Sequence, residues 1–270
     1  ITDYDEKCGT DVVIPETIDG YTVTEIQGGK WDSNIGKTVS PFANKGITSV
    51  VISNNIKNIG VAAFRSNRIA NLVLGDNVQT IEGEAFASNR LTTVNFPSSL
   101  KTIGSMSFYG NRLTSLDIPS SITALGGGAF TYNNLSGDEK YIYGKNNDGS
   151  TDYTFLTSYA STDATKAELP STIRTIGYAA FRTVTGSYLE LPETVKTVNQ
   201  SAFWQSSITN IKLNEGLLII GDNSFAGMPI ESINIPNSVT SIGKSAFTNC
   251  KLKTVTIGSG IKTIGTNAFQ

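Results

Sequence analysis

A single aromatic position sets the rhythm of this chain. Phe42, Phe64, Phe86, Phe108, Phe130, Phe181, Phe203, Phe225, Phe247 and Phe269 recur every 22 residues, with one interval of 51. Apolar residues follow most of these Phe at five, eight and ten positions on, as in Leu113, Leu116 and Ile118 or Leu252, Val255 and Ile257. The last two alternate with polar residues, which is the period of a strand with one buried face. Pro or Gly closes that strand, as at Pro97, Pro119, Pro192, Pro236, Gly75 and Gly258. An Ile-Gly pair ahead of many of these Phe, as at Ile103-Gly104 and Ile242-Gly243, predicts a turn opening a short helical segment. One such unit cannot bury its own apolar stripe, so the fixed period implies stacked copies, a solenoid.

The repeat count predicts about eleven coils of 22-residue period, with a parallel β-sheet on one face and short helices or turns on the other. Three residues after the Phe stand Asn67, Asn89, Asn111 and Asn133, then Val184, Ser206, Met228 and Cys250. An Asn there can satisfy backbone groups that a tight coil leaves unpaired, and the switch after Asn133 predicts two blocks with different corner packing. The 51-residue interval is one normal coil plus a 29-residue irregular one. Within it, the alternating aromatics of Tyr141–Tyr159 flank Asp148-Gly149, which predicts one β-hairpin insertion standing off the solenoid. The expected organisation is an N-terminal cap and first irregular coil over 1–41, regular repeats over 42–135, an irregular coil with a β-hairpin over 136–166, and regular repeats over 167–270. The chain stops one residue after Phe269, so a cut within a repeat is expected; its start at Ile1 implies that any signal peptide is absent from this fragment.

Net charge is −2 and only 16% of residues are charged. Low charge and no basic stripe in the sequence argue against a nucleic-acid ligand, and no apolar run reaches membrane-span length, so no membrane insertion is expected of this fragment. There is no His, which removes Ser-His and Cys-His dyads and imidazole metal ligands. Cys8 and Cys250 are too few for a structural zinc site. Ser98-x-x-Lys101 and Ser241-x-x-Lys244 have an acyl-transferase spacing, but both fall on repeat turns where Ser and Lys recur by register. Gly126-Gly127-Gly128 lacks the Lys-Ser/Thr ending of a phosphate loop. Asp148 and Asp152 could offer oxygens to Ca²⁺, but the twelfth position of that pattern is Tyr159 rather than Glu. The expectation is a chain without catalytic, cofactor or metal residues.

The strand residues that face away from the core form the candidate binding face: Asn71, Thr93, Asn95, Ser115, Asp117, Tyr188, Glu190, Asn210, Lys212, Ser232, Asn234, Thr254 and Thr256. Small polar side chains there can hydrogen-bond a protein or glycan. Trp31, Tyr141, Tyr143, Tyr153 and Trp204 break their columns and are candidate aromatic anchors.

The stretch Ile235-Pro236-Asn237-Ser238-Val239-Thr240-Ser241-Ile242-Gly243-Lys244-Ser245-Ala246-Phe247-Thr248-Asn249-Cys250-Lys251-Leu252 resembles the BspA-type leucine-rich repeat. The likeness extends over nearly the whole chain and implies a leucine-rich-repeat solenoid, secreted or attached to a bacterial cell surface. It further implies a non-catalytic binding module for adhesion or host interaction, with host protein, extracellular matrix or glycan as partner. The alternative it leaves open is a structural stalk or a targeting region for an absent C-terminal module or enzyme domain.

Overall fold

In a computed structural model of the protein, residues 9–32 and 37–270 are described, with side chains described outside 30–39; Cys8 lies outside the described residues. The chain divides into two units, one formed by residues 1–139 and 145–150, the other by 140–144 and 151–270. Each is a β-solenoid, and together they hold about ten turns.

In the first unit the rings of Phe42, Phe64, Phe86, Phe108 and Phe130 stack in sequence, 4.9–5.5 Å between centroids. In the second the stack is Tyr159, Phe181, Phe203, Phe225, Phe247 and Phe269, spaced 4.8–5.2 Å. Tyr159 therefore fills the ladder position that the 51-residue interval withholds from phenylalanine. Its backbone N–H donates to Ala180 O at 2.8 Å, as Phe181 N–H does to Ala202 O at 2.7 Å, and its buried hydroxyl donates to Asp163 O at 2.9 Å.

The segment around each Phe is not helical. Residues two before and two after it adopt the left-handed conformation, as at Ala62 and Ser66, Glu84 and Ser88, or Ala179 and Thr183. That backbone costs about 1–2 kcal/mol per non-glycine residue and cannot propagate an α-helix. What holds it is bonding between coils: the N–H groups of Ala62, Phe64 and Ser66 donate to the carbonyls of Gly83, Ala85 and Ala87 at 2.8–2.9 Å. The short helices expected from the sequence are thus replaced by an alternating ribbon, and the described helix is limited to a 3₁₀ turn at Gly137–Lys140.

The Ile-Gly pair does other work than opening a helix. It ends the longest parallel ladder in each unit. In the first, Glu25–Ile26, Asn58–Ile59, Thr80–Ile81, Thr102–Ile103 and Ala124–Leu125 pair in one five-stranded sheet. Glycine follows because adjacent coils nearly touch there: a Cβ on Gly104 would lie 2.5 Å from Gly83 N. In the second unit the sheet has seven strands and begins with the hairpin, since Thr151–Tyr159 pairs with Thr175–Ile176 in parallel register, Leu156 opposite Ile176. The hairpin is consequently part of the coil stack instead of standing off it.

The strand expected after each Phe is less regular. Asp11–Ile14, Ser49–Ile52 and Asn71–Val73 form one parallel sheet, Leu189–Glu190 pairs with Ile211–Lys212, and Ser232–Ile235 pairs with Thr254–Ile257. Residues 93–96 and 115–118 form no strand. Phe96 replaces the usual Ile or Leu in that stretch, and its larger ring packs edge-on against Phe108 and Phe130 at 5.4 and 6.2 Å.

Corners follow two chemistries. Asn89 is buried; its Oδ1 accepts from Ile69 N–H at 3.1 Å, and its Nδ2 donates to Phe64 O and Phe86 O at 2.9 and 3.1 Å. Asn67, Asn111 and Asn133 repeat this bridge between successive coils. In the second unit Val184, Ser206, Met228 and Cys250 stand there, and each closes the corner with its own backbone N–H onto the Phe three residues before. Ser206 Oγ adds a bond to Val184 O at 2.8 Å.

Two substitutions test this frame in urea denaturation of the whole chain. Phe86→Ala is expected to cost about 3–5 kcal/mol, because a buried ring in a stack cannot be replaced by collapse of its neighbours. Asn89→Ala strands the buried N–H of Ile69, while Phe64 O and Phe86 O keep the amides of Asn67 and Asn111, and is expected to cost about 1–3 kcal/mol; a loss well under that range would show that water takes over the bridge.

Candidate functional site

Every member of the candidate face is exposed, but the residues do not share one sheet. In the first unit Asn71 lies in a strand, while Thr93, Asn95, Ser115 and Asp117 lie on segments outside any strand. In the second, register places Ser232 beside Thr254 and Asn234 beside Thr256. There the polar face gathers into a bonded cluster. Leu189–Glu190 and Ile211–Lys212 bury their aliphatic members, which turns Glu190 and Lys212 outward on adjacent coils. Lys212 Nζ and Asn214 Nδ2 both donate to Glu190 Oε1, at 2.8 and 3.0 Å, and Tyr188 hydroxyl donates to Glu190 Oε2 at 3.1 Å. Asn214 Nδ2 is fixed in turn on Leu191 O at 2.6 Å.

Three donors on one carboxylate favour its charged form. The bond from Asn214, then those from Lys212 and Tyr188, hold Glu190 at about 2, well below the ordinary 4.5. The bond to Glu190, and then its negative charge, raises Lys212, while partial desolvation and the bond to Glu190 raise the Tyr188 phenol. The cluster thus keeps one anion, one cation and one neutral phenol across the physiological range.

Tyr188 stands between two depressions. A groove of about 640 Å³ is lined by Lys166, Glu168, Tyr188, Glu190, Glu193 and Asn214 among others, and a shallower one of about 320 Å³ by Tyr188, Asn210, Lys212, Ser232 and Asn234. The ring, 42% exposed, can offer a face to a ligand in either. Lys166, Glu168, Glu193 and Asn214 were not among the residues singled out from the sequence. Asn214 could have been found, since it lies one coil and two residues beyond Glu190, but the groove depends on how the irregular coil runs.

The aromatic anchors divide. Tyr141 is buried, with its hydroxyl donating to Glu168 O at 2.8 Å, so its ring belongs to the core and is closed to a partner. Tyr143 packs edge-on to the exposed Tyr153 at 5.1 Å. Trp204 is half-buried with the Arg182 guanidinium over its ring at 4.3 Å. Trp31 lies on the strand Lys30–Asp32, which pairs antiparallel with Lys37–Val39; its side chain lies outside the described part.

The remaining chemical candidates are absorbed by local structure. Asp148 Oδ1 accepts from the N–H and hydroxyl of Ser150, and Asp152 Oδ1 likewise from Thr154. Ser241 accepts from the Thr263 hydroxyl at 2.9 Å along the ladder. The half-buried Cys250 thiol meets Phe225 O at 3.2 Å, and burial pushes it up to about 11. Among the described residues no helix is long and apolar enough to cross a membrane. The 22-residue register also stacks Arg68, Arg90 and Arg112 into an exposed column, a basic stripe that linear order hides.

The chain matches the BspA type leucine rich repeat region, in six copies, over residues 34–157 and 152–270, and it belongs to that family. No curated protein matches it. Among solved structures it is similar to a leucine-rich repeat protein from Eubacterium ventriosum, with 18% identity, a TM-score of 0.68, and coverage of 100% of this chain and 87% of that one. It is also similar to the pneumococcal vaccine antigen PcpA, with 21% identity, a TM-score of 0.58, and coverage of 99% and 78%. These likenesses share the fold.

Carboxyl-carbon NMR across an acid titration checks the cluster. Because the folded value of Glu190 is depressed, its contribution to stability is complete above about 4.5 and is lost as pH falls toward about 2. Its midpoint is expected near 2, rising toward 4.5 in Asn214→Ala; a midpoint near 4.5 in the unaltered protein would mean that the cluster does not form. Cys250 is expected to alkylate at pH 8 far more slowly than a free thiol, given its raised value; equal rates would contradict its placement against Phe225.

Proposed function

We propose that the protein is a non-catalytic binding module that acts outside the cell or at the bacterial cell surface, through the face centred on Tyr188 in the second unit. The observation that carries this reading is the prearranged cluster of Tyr188, Glu190, Lys212 and Asn214 between two open depressions. A ligand meeting it finds an aromatic face and fixed charges with little side-chain ordering left to do, which favours affinity. Membership of a repeat family supports the scaffold role, and a surface location is in keeping with a structural relative that is a vaccine antigen. The partner class is a host protein, extracellular matrix component or glycan.

A screen of the whole chain against matrix proteins, mucins and a glycan array tests the reading. For a saturable hit, Tyr188→Ala is expected to weaken binding at least about tenfold, as for an interface anchor. Lys212→Glu should also weaken it, while both variants stay folded, since both side chains are exposed. Binding unchanged in both variants would sink the assignment of this face.

A further inference from the structure

The backbone of the arginine column is bonded between coils, but its side chains carry no bond of the fold among the described residues. Arg68, Arg90 and Arg112 stand four residues after successive ladder phenylalanines, and each N–H donates at 2.9 Å to the preceding coil, onto Ile47, Ile69 and Leu91. The Asn before each is buried at the corner, so the Arg beside it emerges to solvent. Rings in the same coils stack 5.3 and 5.5 Å apart, which sets the rise between the arginines. Three guanidinium-bearing chains at that spacing repel one another, yet none forms an ion pair or side-chain hydrogen bond with a described residue. Within two residues of each arginine the chain holds Ser66, Ser88, Thr92 and Thr114 and no carboxylate. Coil geometry does not demand arginine, because the same position in the second unit holds Thr185, Ser207, Pro229 and Lys251.

We infer that this column is a binding site for a linear sulfated polysaccharide, distinct from and independent of the Tyr188 face. Guanidinium forms forked, charge-assisted bonds to sulfate oxygens. One cation per coil matches a polyanion carrying about one charge per sugar, since the coil rise is close to the length of one pyranose. Duplex DNA, with a charge about every 1.7 Å of its axis, is far denser than the column. Exposed Ser88 and Thr92 on either side of Arg90 supply hydroxyls for the sugar between charges.

Surface plasmon resonance with the whole chain tests this, using a chondroitin sulfate oligosaccharide, which carries about one charge per sugar, its desulfated form and a DNA 20-mer as probes. The sulfated oligosaccharide is expected to bind saturably, with log affinity falling against log salt at a slope of about −2 to −3, three contacts at roughly 0.7–0.9 each. Arg68→Gln/Arg90→Gln/Arg112→Gln should lose at least tenfold, and Arg90→Gln alone part of that, both with unchanged thermal melts. The charge-matched control Lys57→Gln/Lys101→Gln/Lys262→Gln, at another repeat position, should stay within twofold of the unaltered chain. Absence of saturable binding, equal loss in the control, or equal binding of the desulfated form would overturn the site. Binding of DNA in place of the glycan would reassign the column to nucleic acid.

Discussion

Each coil's backbone is bonded to the coil one repeat away, and everything else in this protein is arranged around that constraint. With strand ladders and the left-handed ribbon both running between neighbours, a residue and its counterpart 22 positions on are held about one coil rise apart. Every repeat position therefore becomes a column. An aromatic column makes a buried stack, an amide column makes a chain of bridges, and a charged column concentrates its field on one surface.

That constraint explains which irregularities are tolerated. Tyr159 enters the ring stack although its coil is of different length, because the ladder fixes where the ring sits and the hydroxyl finds Asp163 O. The exchange of Asn for Val184, Ser206, Met228 and Cys250 keeps the corner closed by shifting the donor from a side chain to the backbone. Where Phe96 turns its larger ring edge-on to the stack, the strand pairing lapses.

Surface chemistry follows from columns of unequal composition. In the second unit a carboxylate, an ammonium, an amide and a phenol from adjacent coils are brought within hydrogen-bonding distance. In the first unit identical arginines are stacked without counterions among the described residues. The two features differ in kind: one is internally satisfied and prearranged, the other is left open.

The sequence by itself determined the solenoid, its period, the buried ring stack and the bridging role of the asparagines, because a periodic pattern leaves one way to bury its apolar positions. It also carried the irregular coil and the hairpin turn at Asp148-Gly149. Only the tertiary structure decided that the segment around each Phe is a left-handed ribbon, that Thr-Ile pairs form the longest sheets, and that Tyr141 is buried while Tyr188 is open. Those outcomes depend on backbone bonds between coils, which outweigh the local preference for helix and are invisible to any one repeat. The groove beside Tyr188 and the arginine column likewise exist only once residues 22 positions apart become neighbours in space.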